Sequence, residues 1–228
     1  MPRRPIQLEL PIKNTHGGRR RGAGRPNRSG LQAHVRRPRL SRREPAHLTL
    51  TICEGLPGLR RKIAFRCLRR AVRIGRAQGL RIAHFAILSN HVHLIVEPQG
   101  ENLRRELQSL SISFSKSLNA ALKRKGSVFR ERYHLHVLKT PSEVRRALAY
   151  VLSNESRHRK IPRTAWIDPF SSAYAFSDWK ELFGRRFEVQ FSNWPDCEIE
   201  AVIRDFLGKS PDHTRGWLLR EGWKRARD

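Results

Sequence analysis

Regular hydrophobic periods begin only after Pro45. His47–Cys53 alternates polar residues with Leu48, Leu50 and Ile52, the period-2 pattern of a half-buried strand. From Pro57 to about Gln78, Leu59, Ile63, Cys67, Ala71 and Ile74 form an apolar stripe at helical spacing. Lys62, Arg66, Arg69, Arg73 and Arg76 repeat on another face of that helix, either as a solvated surface or as a flank for DNA. Arg81–Leu88 reads as a second strand, and Ser89-Asn90 turns it into a third, His91–Glu97. A second helix follows from about Asn102 to Arg124, with Leu103, Leu107, Leu110, Phe114, Leu118 and Leu122 along one side. Val128–Leu138 is the fourth strand, and Pro141 opens a third helix through about His158.

The order strand, helix, strand, strand, helix, strand predicts an α+β fold, a ferredoxin-like βαββαβ unit. Its antiparallel sheet carries two helices on one face and leaves the other free for a site. The third helix is an addition to that unit. Residues 159–195 read as a connection anchored by Trp166, Phe170, Tyr174 and Trp179, and residues 196–228 as two short helices. Three parts are expected: a disordered basic arm over 1–45, the sheet domain over 46–175 and a helical extension over 176–228.

Charge changes this picture. The 228 residues include 47 Lys or Arg against 20 Asp or Glu, a net charge of +27. That balance points to a polyanionic partner, nucleic acid before an anionic membrane. Residues 1–45 hold 13 Lys or Arg and 2 Asp or Glu, with many Pro and Gly and no hydrophobic period. Such a segment cannot offset the entropy of ordering. Arg20, Arg21 and Arg25, then Arg36, Arg37 and Arg39, lie in short Arg/Gly/Pro stretches suited to phosphates or a minor groove. Three scattered cysteines exclude a disulfide framework and a Cys-type zinc site, and no run spans a bilayer. A cytoplasmic, nucleoid-associated protein is expected.

The third strand carries the most informative chemistry. Alternation sends Val92, Leu94 and Val96 to one face and His91 and His93 to the other. Adjacent imidazoles on an open face are able to share one divalent ion, or are simply half-exposed strand residues. His134 and His136 form a second such pair, on a strand expected at the sheet edge. Tyr150 falls at the margin of the third helix's apolar arc, with Asn154 one turn on at the same edge. Tyr133 is the rival nucleophile. Lys123, Arg124, Lys125, Arg130, Arg132 and Arg157 form a group suited to backbone phosphates, and Phe129 or Tyr133 to stacking a base.

These residues carry a resemblance. Ser89-Asn90-His91-Val92-His93-Leu94-Ile95-Val96 resembles the histidine–hydrophobic–histidine signature of the HUH single-tyrosine transposases. Ala149-Tyr150-Val151-Leu152-Ser153-Asn154 resembles the tyrosine helix of their REP-associated branch. Gly126–Tyr133 and Asp168-Pro169-Phe170-Ser171-Ser172 are similar to further stretches of that branch. The resemblance covers about residues 46–175. It implies His91, His93 and Asn154 as ligands of Mg2+ or Mn2+, and Tyr150 as a nucleophile forming a 5′-phosphotyrosine on single-stranded or hairpin DNA. It implies a DNA transposase, an endonuclease and strand transferase that needs no nucleotide cofactor. The alternative is an inactive or domesticated DNA-binding protein on the same fold. Insertion-sequence relatives exchange the tyrosine helix between subunits of a homodimer; a monomer is favoured here. Glu155 stands where the branch has proline, and Leu88-Ser89 where it has Met-Pro.

Overall fold

The computed structural model describes residues 40–99, 102–154, 167–183, 196–208 and 216–226. The expected basic arm, with Arg20, Arg21, Arg25, Arg36, Arg37 and Arg39, lies outside the described residues up to residue 39, as do Glu155, Arg157 and Trp166. Strands β1 (Ala46–Thr51), β2 (Ile82–Ile87), β3 (His91–Val96) and β4 (His134–Val137) form one sheet in the order β2-β3-β1-β4. Every neighbouring pair is antiparallel. With α1 (Lys62–Ala77) and α2 (Leu103–Ala121), this is the α+β βαββαβ arrangement anticipated from the pattern of apolar residues.

Alternation decides what each sheet face meets. Leu48 and Leu50 of β1, Phe85 and Ile87 of β2, and Val92, Leu94 and Val96 of β3 join one core with α1 and α2. Phe65, Leu68 and Val72 from α1 and Leu107, Phe114 and Leu118 from α2 fill it. Each such side chain removed from water contributes roughly 1.5–3 kcal/mol before entropy is counted.

The opposite face is only partly free, which corrects the expectation that it is open. Ala83, Ala86 and Ile95 are covered by Leu148, Val151 and Leu152 of α3 (Pro141–Leu152) and by Trp179, Leu219 and Trp223 beyond it. These last residues belong to α4 (Trp179–Phe183), α6 (Trp217–Arg220) and a 3-10 turn (Gly222–Arg225). The cover spans β2 and part of β3, so among the described residues the less covered area lies over β1, β4 and the His91 end of β3.

Other differences have local causes. α1 starts at Lys62 rather than Pro57 because the preceding turn holds the β2–β3 connection: Leu59 N donates to Ser89 O at 2.7 Å and Arg60 Nε to Ile87 O at 2.8 Å. Gly58 allows that approach, since a Cβ there would stand 3.3 Å from Ser89 O. β4 is shorter than expected because residues 128–130 touch β1 only through single bonds, Cys53 N to Val128 O and Arg130 N to Thr51 O. The cationic stripe of α1 is partly consumed by packing. Arg69 Nε lies 2.6 Å from Asp205 Oδ2 of α5 (Asp196–Leu207), and Arg76 donates to the carbonyls of Arg204 and Asp205 near the C-terminus of α5. Burial lowers the Arg76 pKa, an effect that nearby Asp205 opposes.

Asp168-Pro169-Phe170-Ser171-Ser172 closes the β2 edge. Ile87 N donates to Phe170 O at 2.9 Å, and Ser172 Oγ accepts from Phe85 N at 3.0 Å. Buried Asp168 pairs with Arg60 and accepts from Phe170 N, while the Arg60 guanidinium lies 4.6 Å from the Phe170 ring centre. Asp168→Ala strands a largely buried guanidinium, and a loss of about 3–5 kcal/mol in chemical denaturation is expected; Asp168→Asn recovers part of it.

The start of α3 is set by a capping box. Thr140 Oγ1 accepts from Glu143 N, Glu143 Oε2 accepts from Thr140 N and Lys139 N, and Pro141 occupies the first turn. The hydrogen bond from Lys139 N, followed by those of Thr140, holds the Glu143 carboxyl below its ordinary value. Its stabilisation is therefore complete above the unfolded carboxylate range and is lost as pH falls through the lower, folded value. Thr140→Ala is expected to cost about 1 kcal/mol by thermal unfolding at neutral pH, and the penalty of Glu143→Ala to shrink on acidification.

Candidate active site

Antiparallel register gathers the histidines. Thr49 of β1 opposes His93 on one side and His134 on the other; Thr51 opposes His91, and His47 opposes His136. Side chains opposite one another share a face, so these residues crowd the side away from α1 and α2. β4 is an edge strand, as expected for the second histidine pair, and His134 and His136 are exposed.

The turn before β3 orients His91. Asn90 Oδ1 lies 2.7 Å from His91 Nδ1, and an amide oxygen only accepts. Nδ1 therefore carries a proton in this contact, and Nε2 faces the neighbouring histidine. His93 Nδ1 lies 3.0 Å from Thr49 Oγ1 and 3.1 Å from His47 Nε2. Burial first, and then His134 and His136, push the His47 pKa down to about 4, so this ring is neutral at pH 7. His93 turns its Nε2 toward His91. The two Nε2 atoms stand 3.1 Å apart. At this distance the two nitrogens share a proton in a hydrogen bond or a cation bonded to both.

Tyr150 reaches the same place from α3. Its ring meets His93 edge-on, with centres 5.1 Å apart and planes at 79°, and His47 at 5.9 Å and 63°. The residue is 36% exposed, so a ring braced by two imidazoles keeps part of its surface in solvent. Tyr133 does not compete for this position. It packs partly buried against the core shared with α1 and α2, as do Phe129 and Leu135. Phe129 leans on Phe114, with ring centres 5.6 Å apart.

Asn154 departs from the shared helix edge suggested by its i,i+4 spacing. α3 ends at Leu152, and Ser153, whose hydroxyl donates to Ala149 O, takes φ −106° and ψ 13°. After this break Asn154 is only 1% exposed. Neither its Oδ1 nor its Nδ2 has a hydrogen-bond partner among the described residues. A buried amide left in this state is unusual and suits a ligand that completes it. No group of three His, Cys, Asp or Glu among the described residues is arranged to hold a metal ion. An amide oxygen is of the kind that would join two imidazoles around a divalent ion.

Arg130 sits at the His91 end of the sheet, through its bond to Thr51 O. Lys123, Lys125, Arg130 and Arg132 are exposed on the loop between α2 and β4, whereas Arg124 donates to Ser127 O. Sequence reasoning missed His47 and Thr49. Their signal was present in the alternation of His47, Thr49 and Thr51, which puts polar groups on the face that β3 fills with histidines.

Removing the orphaned amide tests this arrangement without substrate. In chelator-treated protein Asn154→Leu is expected to match or exceed the wild type in stability, by up to about 1–3 kcal/mol. A clear loss would mean that the amide is already satisfied.

Among solved structures, a REP-associated tyrosine transposase bound to a REP hairpin superposes on this chain with a TM-score of 0.51. The match covers 63% of this chain and 84% of that one at 18% identity, a level that establishes the fold alone. No family model and no curated protein matches the chain. The shared architecture is transposase-like, and no helix among the described residues is long and apolar enough to cross a membrane.

Proposed function

We propose that this protein is a metal-dependent DNA transposase that cleaves and rejoins single strands, probing hairpin-flanked repeats with Tyr150 as nucleophile. The observation that carries the reading is the convergence of the Tyr150 ring, 5.1 Å from His93, with two Nε2 atoms 3.1 Å apart. The transposase-like fold supports it, as does a net charge of +27.

His91, His93 and Asn154 would hold Mg2+ or Mn2+, a Lewis acid that polarises the non-bridging oxygens of the scissile phosphate. Thr49, His47 and Asn90 fix the imidazole orientations through the opposite ring nitrogens. Tyr150 Oη forms a bond to phosphorus and gives up its proton; the bond from phosphorus to the 3′ oxygen breaks, and that oxygen leaves as a protonated 3′-hydroxyl. The product is a 5′-phosphotyrosine. One phosphodiester is exchanged for another, so a new 3′-hydroxyl reverses the step and joins strands without a nucleotide cofactor. The basic segment over 1–45 and the cations around Arg130 supply phosphate contacts.

Tyrosine and histidines come from one chain, which supports a monomer acting in cis. A labelled hairpin oligonucleotide with Mn2+ is expected to yield a covalent protein–DNA species with wild type and none with Tyr150→Phe. His91→Ala is expected to lose cleavage and keep salt-sensitive binding. A mixture of the two variants should stay inactive, whereas recovered cleavage would point to exchange of α3 between subunits. DNA binding with no adduct from the wild type would favour a non-catalytic binding protein.

A further inference from the structure

At the far end of the sheet from His91, a cleft of about 680 Å³ opens between the segment before β1, the start of α3 and the start of α6. Trp217 lines it and is 53% exposed, although Trp223, six residues later, is fully buried. At the wall of a cleft, an aromatic side chain left this open presents a face on which a planar group is able to stack. The indole is held rather than loose. A Cβ at Gly222 would come within 2.7 Å of the ring, so the backbone there supports it from behind.

The residue before it is anchored by a buried carboxylate. Glu97, 6% exposed at the end of β3, accepts from Gly216 N at 2.6 Å and pairs with Arg81 at 3.1 Å. A Cβ at position 216 would stand 3.2 Å from Glu97 Oε1, so glycine lets the chain approach this closely. Glu97 is thereby neutralised within the wall. Arg42, Arg43 and Lys139 are exposed around the cleft, and the Arg225 guanidinium lies 5.7 Å from the Trp217 ring centre.

A rigid aromatic plate with cations around it matches an unpaired nucleotide, whose base stacks and whose phosphate meets guanidinium or ammonium groups. The volume falls within the usual range for a small-molecule site. We infer that this cleft is a second docking site for single-stranded DNA, with Trp217 stacking one base and Arg42, Arg43 and Lys139 holding the flanking phosphates. The inference rests on the reading of the protein as a single-strand processor and extends it. Pro141 lines the cleft and Tyr150 lies nine residues further along α3, about 14 Å at the helical rise. A few nucleotides of single strand bridge that distance, so the site would hold the strand beside the scissile phosphate.

The test uses full-length Tyr150→Phe protein, which cannot form the covalent link, and two hairpins with the same stem, one blunt and one with a single-stranded extension. Trp217→Ala is expected to weaken binding of the extended hairpin roughly 5- to 100-fold and to leave the blunt hairpin unchanged; Trp217→Phe retains most of the affinity. Equal affinities for wild type and Trp217→Ala, or equal losses on both hairpins, would overturn the site. The double variant Arg43→Ala/Lys139→Ala, at exposed positions, decides the matter if Trp217→Ala does not fold. It is expected to weaken the extended hairpin selectively and to flatten the salt dependence, and no loss would overturn the proposal. An extension-specific effect together with no adduct from the wild-type chain would leave this site standing and remove the catalytic reading.

Discussion

Two imidazole nitrogens 3.1 Å apart set the terms for the rest of the site. Each ring meets a protein partner through Nδ1, so both Nε2 atoms point at one place that a shared proton or a divalent ion is able to occupy. The arrangement is produced by β pairing. Antiparallel register places Thr49 beside His93, while the turn clamped by Leu59 and Arg60 presents Asn90 to His91. A shift of one residue in β3 would send both histidines into the core and Val92 and Leu94 to the surface. The apolar core that fixes the register thereby fixes the chemistry.

The second constraint is the placement of α3. Its capping box sets where the helix begins, and Val144, Leu148 and Val151 set which side lies on the sheet. Tyr150 is left at the margin, with its ring against His93 and His47. The break at Ser153 then turns Asn154 inward, where its amide is buried and has no hydrogen-bond partner among the described residues. Exposure of the phenol and burial of the amide suit their proposed tasks. The phenol must meet a strand from solvent, and the amide must complete a site that water would otherwise fill.

Much of this was legible in the residues. Alternation in His91–Val96 separated the core side of β3 from its histidine side, and the spacing in α3 put Tyr150 off the apolar arc. The beginning of α1 was less legible because Leu59 is buried for another reason: it belongs to a turn that holds Ser89, a contact between distant segments that periodicity cannot register. Part of the cover over β2 was also hidden, since Trp179, Leu219 and Trp223 lie far along the chain and join α3 on the sheet only in three dimensions. His47 and Thr49 were visible as strand residues, but their role depends on a cross-strand register that local pattern does not specify. The α1 arginines show the same limit. Their spacing describes a charged face, and only the position of Asp205 shows that Arg69 and Arg76 serve packing.

The most direct measurement is an anomalous-difference map from crystals of the full chain equilibrated with Mn2+. The account predicts one peak within bonding distance of Nε2 of both His91 and His93, with the Asn154 amide as a further ligand and the Tyr150 hydroxyl facing it. A map with no peak there, or with the ion bound by other groups, would contradict it.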